Sequence, residues 1–207
     1  MESLSEYLSQ LASTNPTPGG GSAATIVAAI GAALISMASR ISASNPKYAA
    51  HKELADRLAT RADALRDQLI EARFRDEAAY AAVVKTLALP RSTEEERVAR
   101  EERLRKDLKE AAAAPLEGAH FALEIERLAA FGVEIGNRNL ASDLGCAAEF
   151  AAAAVAACAY NVRINHRFMN NQPETVTQQA EQLERCEQES AALLADVRRA
   201  VAAAMQG

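Results

Sequence analysis

The sequence predicts an all-α fold, an up-and-down bundle of about six or seven helices with two long central ones. Three observations lead there. No stretch shows the apolar–polar alternation of a half-buried strand. Apolar residues recur at helical spacing in nearly every segment instead. The chain is also 49% hydrophobic, with 48 alanines among its 207 residues. Alanine is the best helix former but buries little area. Stability must therefore come from close helix–helix approach or from burial against a partner subunit. The length suits one core, so residues 1–207 read as a single helical domain.

Leu4, Tyr7, Leu8 and Leu11 form the stripe of a first helix over Ser3–Ser13. A second helix from Ser22 to about Ala43 is apolar on nearly every face and should be central. Ala24, Ala28, Gly31 and Ala32 keep one of its sides small. Asn45-Pro46 reads as N-cap and first position of a long helix ending near Leu89, before Pro90. Its seam is Leu58, Ala62, Leu65, Leu69, Ala72, Asp76, Ala79 and Val83, in coiled-coil steps of four and three. Ser92-Thr93-Glu94-Glu95-Glu96 is a capping box for the next helix. Pro115 is expected to kink or divide it, and Gly136 to close it. Residues 137–143 lead into a second Ala-rich helix reaching Arg167. Pro173 starts a last helix with the stripe Leu183, Cys186, Ser190, Leu193, Val197, Val201 and Ala204.

Pro16-Thr17-Pro18-Gly19-Gly20-Gly21-Ser22 breaks the chain before the second helix. Prolines fix φ, and glycines permit positive φ or close backbone approach. With Ser22 as a cap, bare N–H groups at a helix start suit an anionic or carbonyl-rich ligand. Tight helix packing is the other use of such a loop. A Walker loop is excluded because Ser-Ala-Ala-Thr follows the glycines, and a dinucleotide loop because a helix, not a strand, precedes them.

Polar residues in apolar places mark the other candidates. Asp76 occupies a seam position, where a buried carboxylate needs a salt-bridge partner, water or a ligand. With reduced solvation it is also a proton carrier. Asp143 starts an apolar helix, as a cap or beside a ligand. Its face continues through Ala147, Phe150, Ala154, Cys158, Asn161 and Asn165. Asp143 and Asn161 lie about 27 Å apart along the helix and cannot share a site within one subunit. A symmetric antiparallel dimer brings the two ends of this face together. Lys47 is either a surface lysine or the receiver of an acidic ligand.

Net charge of −5, 4% aromatics and no Trp argue against a nucleic-acid or anionic-membrane surface. Cys146, Cys158 and Cys186 form no C-x-x-C pair, and His51, His120 and His166 lack ligand spacing. Reduced thiols, a cytoplasmic protein and no metal are expected. The N-terminus lacks a basic n-region. The apolar run Ala23–Ala38, 16 residues, is short for a membrane span and reads as a core helix.

Taken together, several motifs resemble one family. Thr17-Pro18-Gly19-Gly20-Gly21-Ser22-Ala23-Ala24 is similar to the signature loop of the cyclodeaminase domain of formiminotransferase-cyclodeaminase, shared by bacterial methenyltetrahydrofolate cyclohydrolases. Lys47-Tyr48, Asp76-Glu77-Ala78-Ala79-Tyr80, Leu89-Pro90-Arg91, Ala114-Pro115-Leu116, Gly136 to Asp143 and Asn161-Val162-Arg163-Ile164-Asn165 match in order and spacing. Arg91 and Ala114 depart from the family's usual lysine and valine. The resemblance implies a dimerising helical bundle with a folate site at or near the dimer interface. It implies a cyclohydrolase interconverting 5,10-methenyl- and 10-formyltetrahydrofolate, or a cyclodeaminase closing 5-formiminotetrahydrofolate with release of ammonia. A non-catalytic dimer binding a folate or other acidic ligand is the competing class. Asp143 and Asp76 are the catalytic candidates. Thr17, Pro18, Gly19, Gly20, Gly21, Ser22, Lys47, Asn139, Ser142 and Asn161 are the substrate-binding candidates. No cofactor is expected, since neither reaction needs a metal or a redox group.

Overall fold

The computed structural model describes residues 3–206, in which six α-helices and two 3₁₀ turns follow one another. Ser3 and Glu6 close a capping box on α1 (Leu4–Leu11), but of its predicted stripe only Tyr7 is buried. α2 runs Gly20–Ser44 and starts from Gly19, which gives no side-chain cap. Ser22 therefore lies inside the helix, and its hydroxyl reaches neighbouring helices rather than its own amides. Asn45 does act as a cap, accepting from the Lys47 amide at 3.0 Å, but the segment it caps, Pro46–His51, is a 3₁₀ turn. α3 is Lys52–Leu87, and its seam faces inward as predicted from Leu58 to Ala72 and again at Val83.

Thr93 and Glu96 form the capping box of α4 (Glu94–Glu134), a single helix of 41 residues. Pro115 does not divide it. Proline lacks an N–H, so the Ala111 carbonyl one turn earlier loses its helical donor. The Asn165 side chain supplies one instead, Nδ2 to Ala111 O at 2.6 Å. Gly136 comes just after the helix at φ +75°, the left-handed conformation expected past a helix end. Arg138–Leu140 is a 3₁₀ turn into α5 (Ala141–His166), and α6 is Pro173–Gln206.

α2 and α5 pack antiparallel at close range. A Cβ on Gly31 would stand 3.0 Å from the Ala147 carbonyl oxygen, so the two backbones are nearly in contact. Near one end, a Cβ on Gly20 would meet the Asn161 carboxamide at 3.2 Å. Near the other, Asn137 Nδ2 donates to Ser42 Oγ at 3.1 Å in a buried bond. α3 and α4 flank this pair, and α6 lies across α4 and α5. Ile35, Leu65, Leu69, Ile125, Val155 and Val162 fill the space between.

α2 is not enclosed on all sides, which corrects the central position expected for it. Its small residues face inward, and Ile30, Met37 and Ile41 are exposed. Phe150, Tyr160 and Ile164 are exposed along α5, so Phe150 leaves the face predicted for it. The continuous helix around the apolar 23–38 run has 25 residues, and it and residues 138–166 are both long and apolar enough to cross a bilayer. Most of α2 is nevertheless buried in the bundle. Arg40 on its outer side forms an ion pair with Asp63 of α3, an arrangement costly in lipid.

One buried acid lies far from any loop. Glu126 of α4 is wholly buried, with Oε1 accepting from Ser190 Oγ of α6 at 2.6 Å. Its other oxygen has no partner. Burial pushes this carboxyl up to about 7. Between the unfolded value and this one the folded state holds more protons than the unfolded state, so stability falls as pH rises through that window. Glu126→Gln removes the titration. Its stability relative to the parent chain, measured by urea unfolding, should improve from pH 5 to pH 8 by up to about 3 kcal/mol. An unchanged difference at the two pH values contradicts this.

Candidate functional site

A cavity of about 210 Å³ opens where α2 begins, lined by Pro16, Thr17, Gly19, Gly20, Gly21, Asp76, Tyr80, Ala111, Asn161, Ile164 and Asn165. Four parts of the chain meet there, and the meeting has local causes. Pro16 to Gly19 bring the chain from α1 to the start of α2, with Thr17–Pro18 in the cis form. Asp76 and Tyr80 stand one turn apart on α3, as Asn161 and Asn165 do on α5. Ala111 of α4 completes the wall. A broader groove of about 890 Å³ runs along the 3₁₀ turn and the first half of α3, but its lining is mostly exposed surface such as Lys52, Asp56 and Arg57.

The glycines serve close approach rather than unusual dihedrals, since Gly136 alone of the described glycines has a positive φ. A Cβ on Gly21 would fall 2.5 Å from Asp76 Oδ1 and 2.6 Å from Oδ2. The carboxylate therefore rests directly on the α2 backbone, at the helix end that carries partial positive charge. No ion pair forms at Asp76 among the described residues, so the salt bridge considered for it is absent. The neighbouring arginine, Arg73, bonds Glu77 instead.

Desolvation raises the Asp76 carboxyl to about 6, against the pull of the Ser22 amide and with a further push from the Glu77 charge. Asp76 is the only charged side chain among the cavity residues. The asparagines are tied down. Asn161 Nδ2 donates to the Ala157 carbonyl at 2.8 Å. Asn165 Nδ2 donates to Ala111 and, at 2.9 Å, to the Asn161 carbonyl. Asn165 Nδ2 is thus spent on two backbone carbonyls, while Asn161 Nδ2 keeps a second N–H, and each carboxamide oxygen is left as an acceptor. The cavity offers one carboxylate of near-neutral proton affinity, amide acceptors and a phenol, which suits holding a cationic or proton-exchanging group.

The remaining candidates lie at the opposite end of the bundle. Asp143 is half-buried in the first turn of α5, while Asn139 and Ser142 are exposed. Lys47 is exposed beyond the α2 C-terminus, with its ammonium 5.5 Å from the Tyr48 ring centre. Asn137, buried beside them, has a carboxamide oxygen with no partner. One copy therefore gathers Thr17, the three glycines, Asp76 and Asn161, leaves the buried Pro18 and Ser22 outside the cavity lining, and holds Lys47, Asn139, Ser142 and Asp143 apart from them.

Tyr80, Asn165 and Ile164 line the cavity although none of them is among the candidates predicted from the sequence. Tyr80 was accessible from its spacing of four from Asp76. The signal for Asn165 was Pro115, whose missing N–H demands an outside donor. No group of three or more metal-ligating side chains occurs among the described residues.

Comparison with known proteins places this arrangement. Residues 3–188 match the family model described as formiminotransferase-cyclodeaminase. The methenyltetrahydrofolate cyclohydrolase of Methylorubrum extorquens is 35% identical over 170 residues, 82% of each chain. The formimidoyltransferase-cyclodeaminase of Rattus norvegicus is 31% identical over 169 residues, which span 82% of this chain but 31% of that longer one. The crystal structure of formiminotetrahydrofolate cyclodeaminase from Thermotoga maritima superposes with a TM-score of 0.76 at 28% identity, covering 95% of this chain and 97% of that one.

The contact between Gly21 and Asp76 is directly testable. Gly21→Ala sets a methyl against the carboxylate and should destabilise the chain by about 1–3 kcal/mol. Adding Asp76→Ala removes the obstructing atoms and should recover most of that loss, measured as non-additivity in denaturant unfolding. Additive effects mean that the two groups do not touch.

Proposed function

The chain belongs to the formiminotransferase-cyclodeaminase family, and from that premise we propose that it is a folate one-carbon enzyme, a methenyltetrahydrofolate cyclohydrolase. The observation that carries this reading is the single negative charge of the α2 cavity. The 5,10-methenyl bridge is a delocalised cation between two nitrogens, and Asp76 complements it where a cationic lining would repel it. A purely acidic ligand would meet the same carboxylate unfavourably, which weighs against the non-catalytic alternative.

The chemistry derives from the proton affinity of Asp76. As carboxylate it accepts a proton from a water that attacks the bridge carbon. The tetrahedral adduct then breaks its bond to N5, which takes that proton from Asp76. The hydroxyl proton of the adduct passes to solvent as the N10-formyl carbonyl forms. Gly20 and Asn161 set the wall against which the bridge is held. Cyclodeamination is the second reading, supported by the Thermotoga maritima relative. There N10 closes on the formimino carbon as its proton passes to the imine nitrogen, and protonated Asp76 supplies the second proton with which ammonia leaves, giving the methenyl cation. Neither route needs a metal or an organic cofactor, and both fit a cytoplasmic enzyme.

A cavity of about 210 Å³ is smaller than the roughly 300–1,000 Å³ usual for ligand sites, so one copy does not enclose a folate. The exposed apolar residues of α2 and α5 suit a homodimer. With a two-fold axis across these antiparallel helices, the α2 start of one copy meets the end of the other that bears Lys47, Asn139, Ser142 and Asp143. Lys47 then receives the acidic tail of the folate, and Asp143 adds a second carboxylate near the bridge.

Absorbance loss of 5,10-methenyltetrahydrofolate, beside its formation from 5-formiminotetrahydrofolate, separates the two reactions. Asp76→Asn should lower kcat by about 10²-fold or more. It should leave the melting temperature unchanged or higher at pH 8, because it removes a carboxylate whose raised affinity costs stability above about pH 6. Near-normal kcat in this variant removes the proton-transfer role.

A further inference from the structure

Two adjacent carboxylates grip the start of α2, and they are held differently. Asp76 and Glu77 are successive residues of α3, about 100° apart around the helix axis, so they fall on either side of the α2 N-terminus. Asp76 enters the cavity against Gly21. Glu77 turns away from it. Its Oε1 accepts from the Ser22 hydroxyl at 2.7 Å and from Arg73 Nε at 2.8 Å. The Ser22 hydroxyl is wholly buried and also meets the Tyr7 hydroxyl at 3.0 Å.

Arg73 is buried despite its charge. Its guanidinium lies 4.2 Å from the Tyr7 ring centre and 4.8 Å from that of Phe74. Two aromatic faces thus hold the cation where it pairs with Glu77. Tyr7 is the single buried residue of α1, so what α1 adds to the core is one face and one hydroxyl of this arrangement.

We propose that Arg73 and Glu77 are a positioning pair that holds the second carboxylate turned out of the cavity, leaving Asp76 as the member that exchanges protons with the ligand. The pair acts through Ser22, which joins it to the helix start on which Asp76 rests. This rests on the folate reading for its consequence in turnover, but not for the arrangement itself. The groups facing Asp76 are the Ser22 amide from α2, Glu77 and Tyr80 from α3, and Asn161, Asn165 and the buried Cys158 thiol from α5, with Arg73 behind Glu77 as its ion-pair partner. From α4 the cavity receives only Ala111, and Tyr7 of α1 touches Ser22 and Arg73. Cys158 is pushed up to about 12, chiefly by burial and then by Asp76, so it stays a thiol throughout the relevant range. Nearby Arg75 is engaged by Glu117 at 2.7 Å on the surface. The neighbouring charge that acts on Asp76 is therefore that of Glu77, and Arg73 is the cation paired with it.

Removing either partner should move Asp76 in opposite directions. Glu77→Gln deletes a neighbouring negative charge and leaves Arg73, so the Asp76 midpoint should fall by about one pH unit. Arg73→Met deletes the positive charge and leaves Glu77, so the midpoint should rise. A pair that only braced the helices would give no such reversal of sign. The readout is the ¹³C-carboxyl NMR titration of Asp76 in the full chain, assigned with Asp76→Asn, beside the acidic limb of the pH–rate profile. Opposite shifts in the NMR titration support the pair. Midpoints that stay put, or move together, overturn it. If Arg73→Met does not fold, Glu77→Gln decides alone, and an unmoved or raised midpoint overturns the proposal. Opposite NMR shifts with an unmoved rate limb uphold the pair and reject Asp76 as the proton carrier in turnover.

Discussion

The near contact of α2 with α5 is the constraint on which the rest of this structure depends. Gly31 and the alanines beside it let the two backbones approach until a single added methyl at residue 31 would press on the Ala147 carbonyl. At that distance only one antiparallel register fits. The register sets the glycine loop beside Asn161 at one end and Ser42 beside Asn137 at the other. Small residues take the positions where the two backbones meet, and several of the larger apolar side chains of both helices are left outside. Ile30, Met37, Ile41, Phe150, Tyr160 and Ile164 form a face that water does not favour. Packing of the interior thus sets the separation of the two polar clusters and leaves apolar side chains exposed on both helices.

At the loop end, charge and backbone geometry meet. A carboxylate on a helix N-terminus is ordinarily stabilised as the anion. Asp76 departs from that because it is largely cut off from water and has the Glu77 charge beside it, and the first effect is the larger. The outcome is an acid poised near neutrality, bought with stability that an amide in its place would restore. The glycine at position 21 is what lets the carboxylate sit so close. The asparagines across the cavity have structural duties as well. Asn165 repairs the hydrogen bond that Pro115 removes from α4, and in doing so holds α4 and α5 in register at the cavity wall.

Much of this was legible in the sequence. The helical spacing, the Thr93–Glu96 capping box, the closing Gly136 and the inward seam of α3 are local patterns, and each stands where local chemistry puts it. The polar residue breaking that seam, Asp76, was visible as an anomaly, and so was the glycine loop. Their contact was not, because it joins residues more than fifty positions apart and depends on the tilt of α2 over α3. Ser22 looks like a cap by residue type, yet the helix begins two residues earlier and its hydroxyl serves Glu77 and Tyr7. Pro115 looks like a helix break, yet a side chain from another helix replaces the missing donor. The sequence shows Asp143 and Asn161 to be far apart along one helix, as they are in the folded chain.

The central claim is that the two polar ends of the bundle form one site between two copies of the chain. Subunit exchange between Asp76→Asn and Asp143→Asn dimers tests it most directly. In a mixed dimer one site carries both substitutions and the other carries neither. Statistical mixing should therefore restore about one quarter of the parental methenyltetrahydrofolate turnover from two nearly inactive variants. Mixed dimers verified by native mass spectrometry, with activity no greater than that of the two variants kept apart, would contradict a shared site.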